Sequence, residues 1–377
     1  MEYCTKITDA GIQGLCVSVN HLGKEDQRLG QCKSIEKLFI EGTKITKRGI
    51  QTAVINLPFL KQLTTDDYDA VPVQFLAEMH QPDWNLKQLK DIRKFSLEKL
   101  CLGDRLLYNS THFIPYTSGS LGLVASICPS VTSVKVKLIT GLTDTEMLGL
   151  LSLENVNELE IHGNEVINDT VTFEGGVVPL LKRFGSSLKE LKLCGLMHVN
   201  IRAIIDFCPK LHSLRLDEIK NYSTTVSAKE DAESCHSKRC RVERKPLVLR
   251  NLQKLCVTYP SGEPIISSED LLSLFSSPSS LIDIYIELCD NLTDYIFERA
   301  SEIHQFLSLE KLTMIDCRYL TRRGIDVVMN KKTPLKTIKI YSCDNITDED
   351  IDFWISNARS EKWELSVKYA PKDEESN

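Results

Sequence analysis

The chain has 377 residues, 42% hydrophobic and 26% charged, a balance that excludes a wholly disordered polypeptide and permits a sizeable core. Glycine (18) and proline (13) are too sparse for a collagen-like or low-complexity chain. The formal charge is −6, from 46 basic and 52 acidic side chains, so a global basic field is absent and no nucleic-acid partner is expected. At ~150 residues per domain the length suggests two or three domains, a prior that repeat proteins evade.

No run of ~18 apolar residues exists, so no transmembrane helix and no membrane partner are expected. The start, MEYCTKITDAGIQG, lacks a basic region followed by an apolar one and does not read as a signal peptide. Thirteen cysteines, an odd number with no export signal, read as free thiols in a reducing compartment, cytoplasmic or nuclear. The N-x-[ST] sequons from Asn109, Asn168, Asn221, Asn291 and Asn345 are discounted on that ground.

One skeleton, L-x-x-L-x-L, recurs along the chain. It is weak in IEKLFI from Ile35 and LKQLTT from Leu60, then plain in LEKLCL from Leu97, VTSVKV from Val131, VNELEI from Val156 and LKELKL from Leu188. It continues in LHSLRL from Leu211, LQKLCV from Leu252, LIDIYI from Leu281, LEKLTM from Leu309 and LKTIKI from Leu335. The last starts lie 29, 28 and 26 residues apart, within the range of leucine-rich repeats. Alternating apolar residues in L-x-L face one side of a short strand. A turn follows, then a Thr start signal and an amphipathic run, as at Thr143, Thr293, Thr321 and Thr347. Thr143 with Glu146 also fits a capping box. The expected fold is therefore an α/β leucine-rich-repeat solenoid, a ribonuclease-inhibitor-like horseshoe. It would have a concave parallel sheet, convex helices and roughly ten stacked units.

Eight residues after the first Leu stand Cys289, Cys317 and Cys343, and Asn164 takes the same place. Small thiols or amides there can bond the backbone of the turn and stack as a structural ladder. With these cysteines, the stretches CDNLTD, CRYLTRRGI, CDNITDEDI and CTKITDAGI resemble the cysteine-containing repeats of F-box/LRR proteins, whose pattern runs C-x-x-[LI]-T-D-x-G-[LI]. Cys128-Pro129 and Cys208-Pro209, closing a helix three residues before the next strand, are similar to a second mark of that family, and Cys32 lies in the same phase. The resemblance implies the substrate-receptor role of a Skp–cullin–F-box ubiquitin ligase in protein degradation, with the target on the concave face. No F-box is visible, and the chain enters in mid-repeat at Cys4. The expectation is either an N-terminally incomplete chain or a repeat-only relative with a degenerate cap. A Skp adaptor and a cullin are expected as partners only if an F-box lies upstream of Met1.

Residues 1–34 are expected to form a partial N-terminal repeat or cap, 35–369 the repeat array, and 370–377 a disordered tail. The 41-residue interval from Leu211 to Leu252 holds a polar stretch, read as an inserted mobile loop at about 220–246. The interval from Leu97 contains a Ser/Thr/Gly/Tyr-rich stretch, 108–122, read as a second loop. A final strand is expected from Trp363.

On the strands, the fourth and sixth residues after the first Leu are expected to face away from the core. The candidate partner-binding residues are Lys135, Lys137, Glu160, His162, Lys192, Arg215, Asp217, Tyr285, Glu287, Lys339 and Tyr341. Lys135, Lys137, Lys192 and Arg215 form a candidate patch for an acidic or phosphorylated segment, which Glu160 and Asp217 could neutralise locally. Cys101, Cys194 and Cys256 are expected to expose thiols on the same face. The basic run 237–245 reads as a solvated loop rather than an import or nucleic-acid patch. Cys235, His236 and Cys240 lack the fourth ligand of a structural zinc site, so no metal is expected. Phosphate-loop, dinucleotide, metalloprotease and nucleophile-elbow motifs are absent, which predicts a binding protein with no cofactor and no catalytic residue. The alternative to a ligase receptor is a repeat-only scaffold or inhibitor.

Overall fold

In the computed structural model the described residues are 4–16, 18–19, 25–26, 34–64, 71–78, 94–103, 116–163, 170–223, 249–259, 266–276, 280–329 and 333–371. They belong to two compact units, Met1–Phe184 and Gly185–Asn377. Asn164, the basic run 237–245 and the Cys235–Cys240 cluster lie outside the described residues, as do 224–246 of the expected loop.

The first unit begins with helix α1 (Asp9–Cys16) and a short antiparallel pair, Ser18–Val19 with Glu25–Asp26. Then come β1 (Lys37–Phe39), α2 (Lys47–Asn56), β2 (Gln62–Thr64), β3 (Val71–Pro72) and α3 (Val73–Glu78). It continues with β4 (Lys99–Leu102), α4 (Ser120–Ile127), β5 (Ser133–Lys137), α5 (Asp144–Met147), β6 (Glu158–His162) and α6 (Val178–Phe184). Strand β1 pairs with β2, and β3 to β6 pair in order, all parallel.

The second unit holds β7 (Glu190–Cys194), α7 (Ile201–Phe207), β8 (Ser213–Asp217), β9 (Lys254–Thr258), α8 (Ser268–Ser276) and β10 (Asp283–Glu287). It ends with α9 (Asp294–Ile303), β11 (Lys311–Ile315), α10 (Arg322–Asp326), β12 (Thr337–Tyr341), α11 (Asp348–Ser360) and β13 (Ser366–Ala370). These strands run parallel, each beside its neighbour in the chain. Both units are leucine-rich-repeat solenoids of the α/β class.

The leucine skeleton explains the packing. Leu281, Ile284 and Ile286 are buried, and so are Leu309, Leu312 and Met314, with the same pattern at Leu252, Leu255 and Val257. Each such side chain contributes about 2 kcal/mol, an upper figure against an already compact unfolded chain. The backbone repeats as faithfully. Where a strand begins, two successive N–H groups donate to one carbonyl of the previous repeat: Ile282 and Asp283 to Gln253, Glu310 and Lys311 to Ile282, Lys336 and Thr337 to Glu310. After the strand, Gly195, Glu218, Leu288, Asp316 and Ser342 all take a positive φ of 50–60°. Their N–H groups donate to Asp217, Thr258, Ile315, Tyr341 and Ala370 of the next strand. That left-handed residue turns the chain out of the sheet toward its helix.

A second link joins repeats where helices begin. The Asp9 carboxylate accepts from the N–H and hydroxyl of Thr46 in the next repeat, at 2.8 and 2.6 Å. Asp144 holds Thr172 the same way, and Asp294 holds Thr321 at 2.9 and 2.6 Å. The same carboxylate of Asp294 accepts from Gly324 N–H at 3.0 Å. A Cβ at Gly49, Gly175 or Gly324 would collide with the incoming Asp9, Asp144 or Asp294. The Thr, Asp and Gly positions at the helix starts thus have a mechanical meaning: Thr46, Thr172 and Thr321 cap their own helices, Asp9, Asp144 and Asp294 grip those threonines from the repeat before, and Gly49, Gly175 and Gly324 leave room for the incoming carboxylate. In α10 the Asp position is Arg322, whose guanidinium lies 3.5 Å from Asp350, the residue completing a capping box with Thr347.

Several expectations change. The long interval after Leu60 contains an unforeseen strand and helix, β3 and α3, because VPVQFL does not carry the leucine skeleton. Ser120 and Leu121, assigned to a loop, are buried at the start of α4. Residues 220–223 are packed rather than looped out: Val199 N–H donates to Asn221 and Ser223 N–H donates to Val199, with Tyr222 buried. Ala370, placed in the tail, is the last residue of β13. Thr143 accepts from Glu146 N–H at 3.3 Å, but the Glu146 carboxylate does not complete the box. It reaches back instead to Ser118 Oγ, Gly119 N–H and Tyr116 OH of the previous repeat.

Two predictions follow from these links. In helices, Gly→Ala normally stabilises by about 1 kcal/mol, and Gly14→Ala in α1, where a Cβ meets nothing within 4 Å, should do so. Gly324→Ala should instead destabilise by about 1–3 kcal/mol, with a smaller cost in an Asp294→Ala background; urea melts of the four proteins measure this. For Glu146, partial burial opposes the charge, but the bonds from Ser118, Gly119 and Tyr116 outweigh it and hold its pKa below the ordinary 4.5. A lowered folded pKa stabilises fully above the unfolded value and is lost as pH falls through the folded one. Solvent screens this carboxylate, so Glu146→Gln should cost no more than about 1 kcal/mol at neutral pH, and the gap in Tm should close at pH values well below 4.5.

Candidate binding groove on the sheet face

Because strand side chains alternate, the first, third and fifth residues of β8 to β13 face away from the leucines. Parallel register aligns them into rows. The first row reads Ser213, Lys254, Asp283, Lys311, Thr337, Ser366; the third-position row reads Arg215, Cys256, Tyr285, Thr313, Lys339, Lys368. These two rows line a groove of about 740 Å³, within the size range of ligand sites. Five cations stand against the single carboxylate of Asp283, on a chain whose net charge is −6.

The fifth-position row differs. Asp217 is only 7% exposed and accepts from Arg215 Nε and, at 3.3 Å, from Thr258 Oγ1. Lys192 Nζ lies 4.0 Å away from it. Glu287 accepts from Tyr285 OH at 2.7 Å. Burial, reinforced by that bond to Glu287, raises the Tyr285 phenol well above its ordinary range, so it stays protonated and donating. Tyr341 is half-buried in the same row, next to Ala370 of β13.

These contacts take up much of the charge of the expected patch. In the second unit Lys192 and Arg215 both lie against Asp217, a largely buried carboxylate rather than an open contact residue. In the first unit Lys135 is 3.3 Å from Glu160, which also holds His162. His162 is 9% exposed and so is not an open contact residue. A Cβ on Gly103 would lie 2.7 Å from Lys137 Cβ, so the Lys137 stem covers that glycine. Among the sequence candidates, Lys339 and Tyr285 line the groove together with Arg215. Lys254, Lys311, Lys368 and Asp283 were missed. Three of them sit two residues after the first Leu, the same parity as the positions that were counted, so alternation alone could have found them. Lys368 lies on β13, which has no leucine skeleton.

The thiols are another correction. Cys101 is buried, not exposed, and Cys194 and Cys256 are half-buried, with burial pushing both thiols up to about 11. Cys289, Cys317 and Cys343 lie in the core. Cys317 Sγ is 3.6 Å from the Ile315 carbonyl and 3.9 Å from that of Ile286; Cys343 Sγ is 3.5 Å from Tyr341 and 3.9 Å from Met314. Each thiol thus ties its own strand end to the strand before it. The adjacent Cys343 thiol and burial hold Cys317 well above the ordinary thiol range. Cys128 and Cys208 end α4 and α7, and burial pushes both up to about 12. Among the described residues no group of three His, Cys, Asp or Glu is placed to hold a metal ion.

Iodoacetamide at mildly alkaline pH should accordingly modify the exposed Cys4 faster than Cys128, Cys208 or Cys289 by a factor on the order of 100 or more, read peptide by peptide in a mass spectrometer. Comparable rates would mean that the repeats open far more readily than their packing implies.

No family model and no curated protein matches this chain. Among solved structures it is similar to the Rad7 and Elc1 complex of yeast, at 15% identity and a TM-score of 0.37, covering 91% of this chain and 81% of that one. It is also similar to a protein from Bacteroides fragilis, at 15% identity and a TM-score of 0.37, covering 80% of this chain and 81% of that one.

Proposed function

We propose that this chain is a protein-recognition module, the target-binding part of a receptor for a Skp–cullin–F-box type ubiquitin ligase. The observation that carries the reading is the repeat frame itself. Buried ladder cysteines at Cys289, Cys317 and Cys343 precede helix starts where Asp294 of one repeat grips Thr321 of the next and Gly324 leaves room for it. That frame makes the sheet rigid, so its face can capture a partner with little ordering cost. The face of the second unit, with its groove of about 740 Å³, is the surface assigned to the target. The alternative, a repeat-only scaffold or inhibitor, uses the same face without a ligase.

Affinity purification of the endogenous protein, read by mass spectrometry, separates the two. A ligase receptor should bring down a Skp adaptor and a cullin. Recovery of a target with neither adaptor nor cullin would leave the scaffold reading in its place.

A further inference from the structure

The groove of the second unit has a charge pattern that the packing does not use. Lys254, Lys311 and Lys368 are exposed and Lys339 half-buried, and among the described residues none lies within 4.0 Å of a carboxylate. Asp283 sits between Lys254 and Lys311 in register without closing an ion pair to either. Arg215 is already bonded to Asp217, so it borders the groove rather than supplying an open charge. The two acids at the other end of the strands, Asp217 and Glu287, are likewise taken up by Arg215, Thr258 and Tyr285. Positive potential is therefore concentrated toward the strand starts.

We infer that this groove binds an extended acidic segment of a partner protein, its carboxylates set against Lys254, Lys311, Lys339 and Lys368. Strands lie about 4.8 Å apart, so the path from β9 to β13 is roughly 19 Å, the span of about six extended residues. Side chains on one face of such a segment repeat every ~6.7 Å, close enough to the lysine spacing for flexible ammonium stems to meet them. The lining favours a protein over nucleic acid: the groove contributes one aromatic ring, Tyr285, whose hydroxyl is held by Glu287, and so offers no row of stacking platforms. The inference rests on the sheet face being a protein-binding surface, and it does not require the ligase link.

The test is fluorescence anisotropy on the full chain with three labelled probes: an octapeptide of alternating Glu and Ser, its Lys and Ser counterpart, and a short single-stranded DNA. The Glu peptide should bind and the Lys peptide should not, with affinity falling as salt rises. Lys311→Glu with Lys339→Glu should weaken the Glu peptide by about 10-fold or more. Lys210→Glu, on an exposed turn outside the groove, should leave it unchanged. If the reversal variant loses its circular dichroism signal, Lys311→Ala with Lys339→Ala serves instead and should still weaken binding several-fold. No Glu-peptide binding, or binding indifferent to both double variants, overturns the inference. DNA binding as tight as the Glu peptide also overturns it, in favour of a general polyanion site. Co-purification from cells keeps the two readings apart: the double variant should lose its target yet keep a Skp adaptor if both hold. Peptide capture without any Skp adaptor would leave the groove standing and the ligase role refuted.

Discussion

A single repeat of this chain cannot bury its own leucines. Leu309, Leu312 and Met314 of one repeat are covered only because Leu281, Ile284 and Ile286 stand behind them and Leu335, Ile338 and Ile340 in front. The apolar side of every strand must therefore meet the next in strict parallel register, since a one-residue slip would turn the whole set toward water. That requirement also orders the opposite face. Once Leu255, Ile284, Leu312 and Ile338 are aligned, Lys254, Asp283, Lys311 and Thr337 are aligned as well. The rows that line the groove are a consequence of the core and need no further device to position them.

The links at strand starts and helix starts act on the same constraint from the backbone side. Paired N–H groups on one carbonyl fix where each strand begins, and the left-handed residue after the strand fixes where it leaves. The Asp-to-Thr grip then sets the helix of one repeat against that of the next. Leu288 and Asp316 adopt the left-handed conformation without being glycine, at a cost of about 1 kcal/mol each, which the N–H bonds to Ile315 and Tyr341 help to offset.

Much of this was legible in the sequence, and the rest was hidden for definable reasons. The leucine skeleton located β4 to β12, because alternation is a direct image of one-sided burial. It could not locate β3 and α3, whose VPVQFL has no such alternation and is held by its neighbours. The outward positions were readable by parity, yet counting only the fourth and sixth residues passed over Lys254 and Lys311. Burial of Asp217 and His162 could not be read at all, since it depends on which side chains of adjacent strands lean over them. Glu146 shows the same limit: the spacing Thr143 to Glu146 fits a local box, and only three dimensions reveal that Ser118, Gly119 and Tyr116 are better donors for its carboxylate.

Charge along the face follows from what each carboxylate can reach. Glu160 serves Lys135 and His162, Asp217 serves Arg215 and Thr258, and Glu287 serves Tyr285. Each of these acids stands at the third or fifth place in its strand and finds a donor on its own or an adjacent strand. Lys254 and Lys311 stand at the first place, beside Ser213, Thr337 and the one acid of that row, Asp283; Lys339 and Lys368 stand at the third place, beside Thr313 and each other. Ammonium groups gathered on one face repel one another, and the single carboxylate of Asp283 relieves that repulsion only in part. An anion entering the groove would relieve it at every strand it crosses. The face is thus better matched to an acidic occupant than to water alone, even though the chain as a whole is acidic.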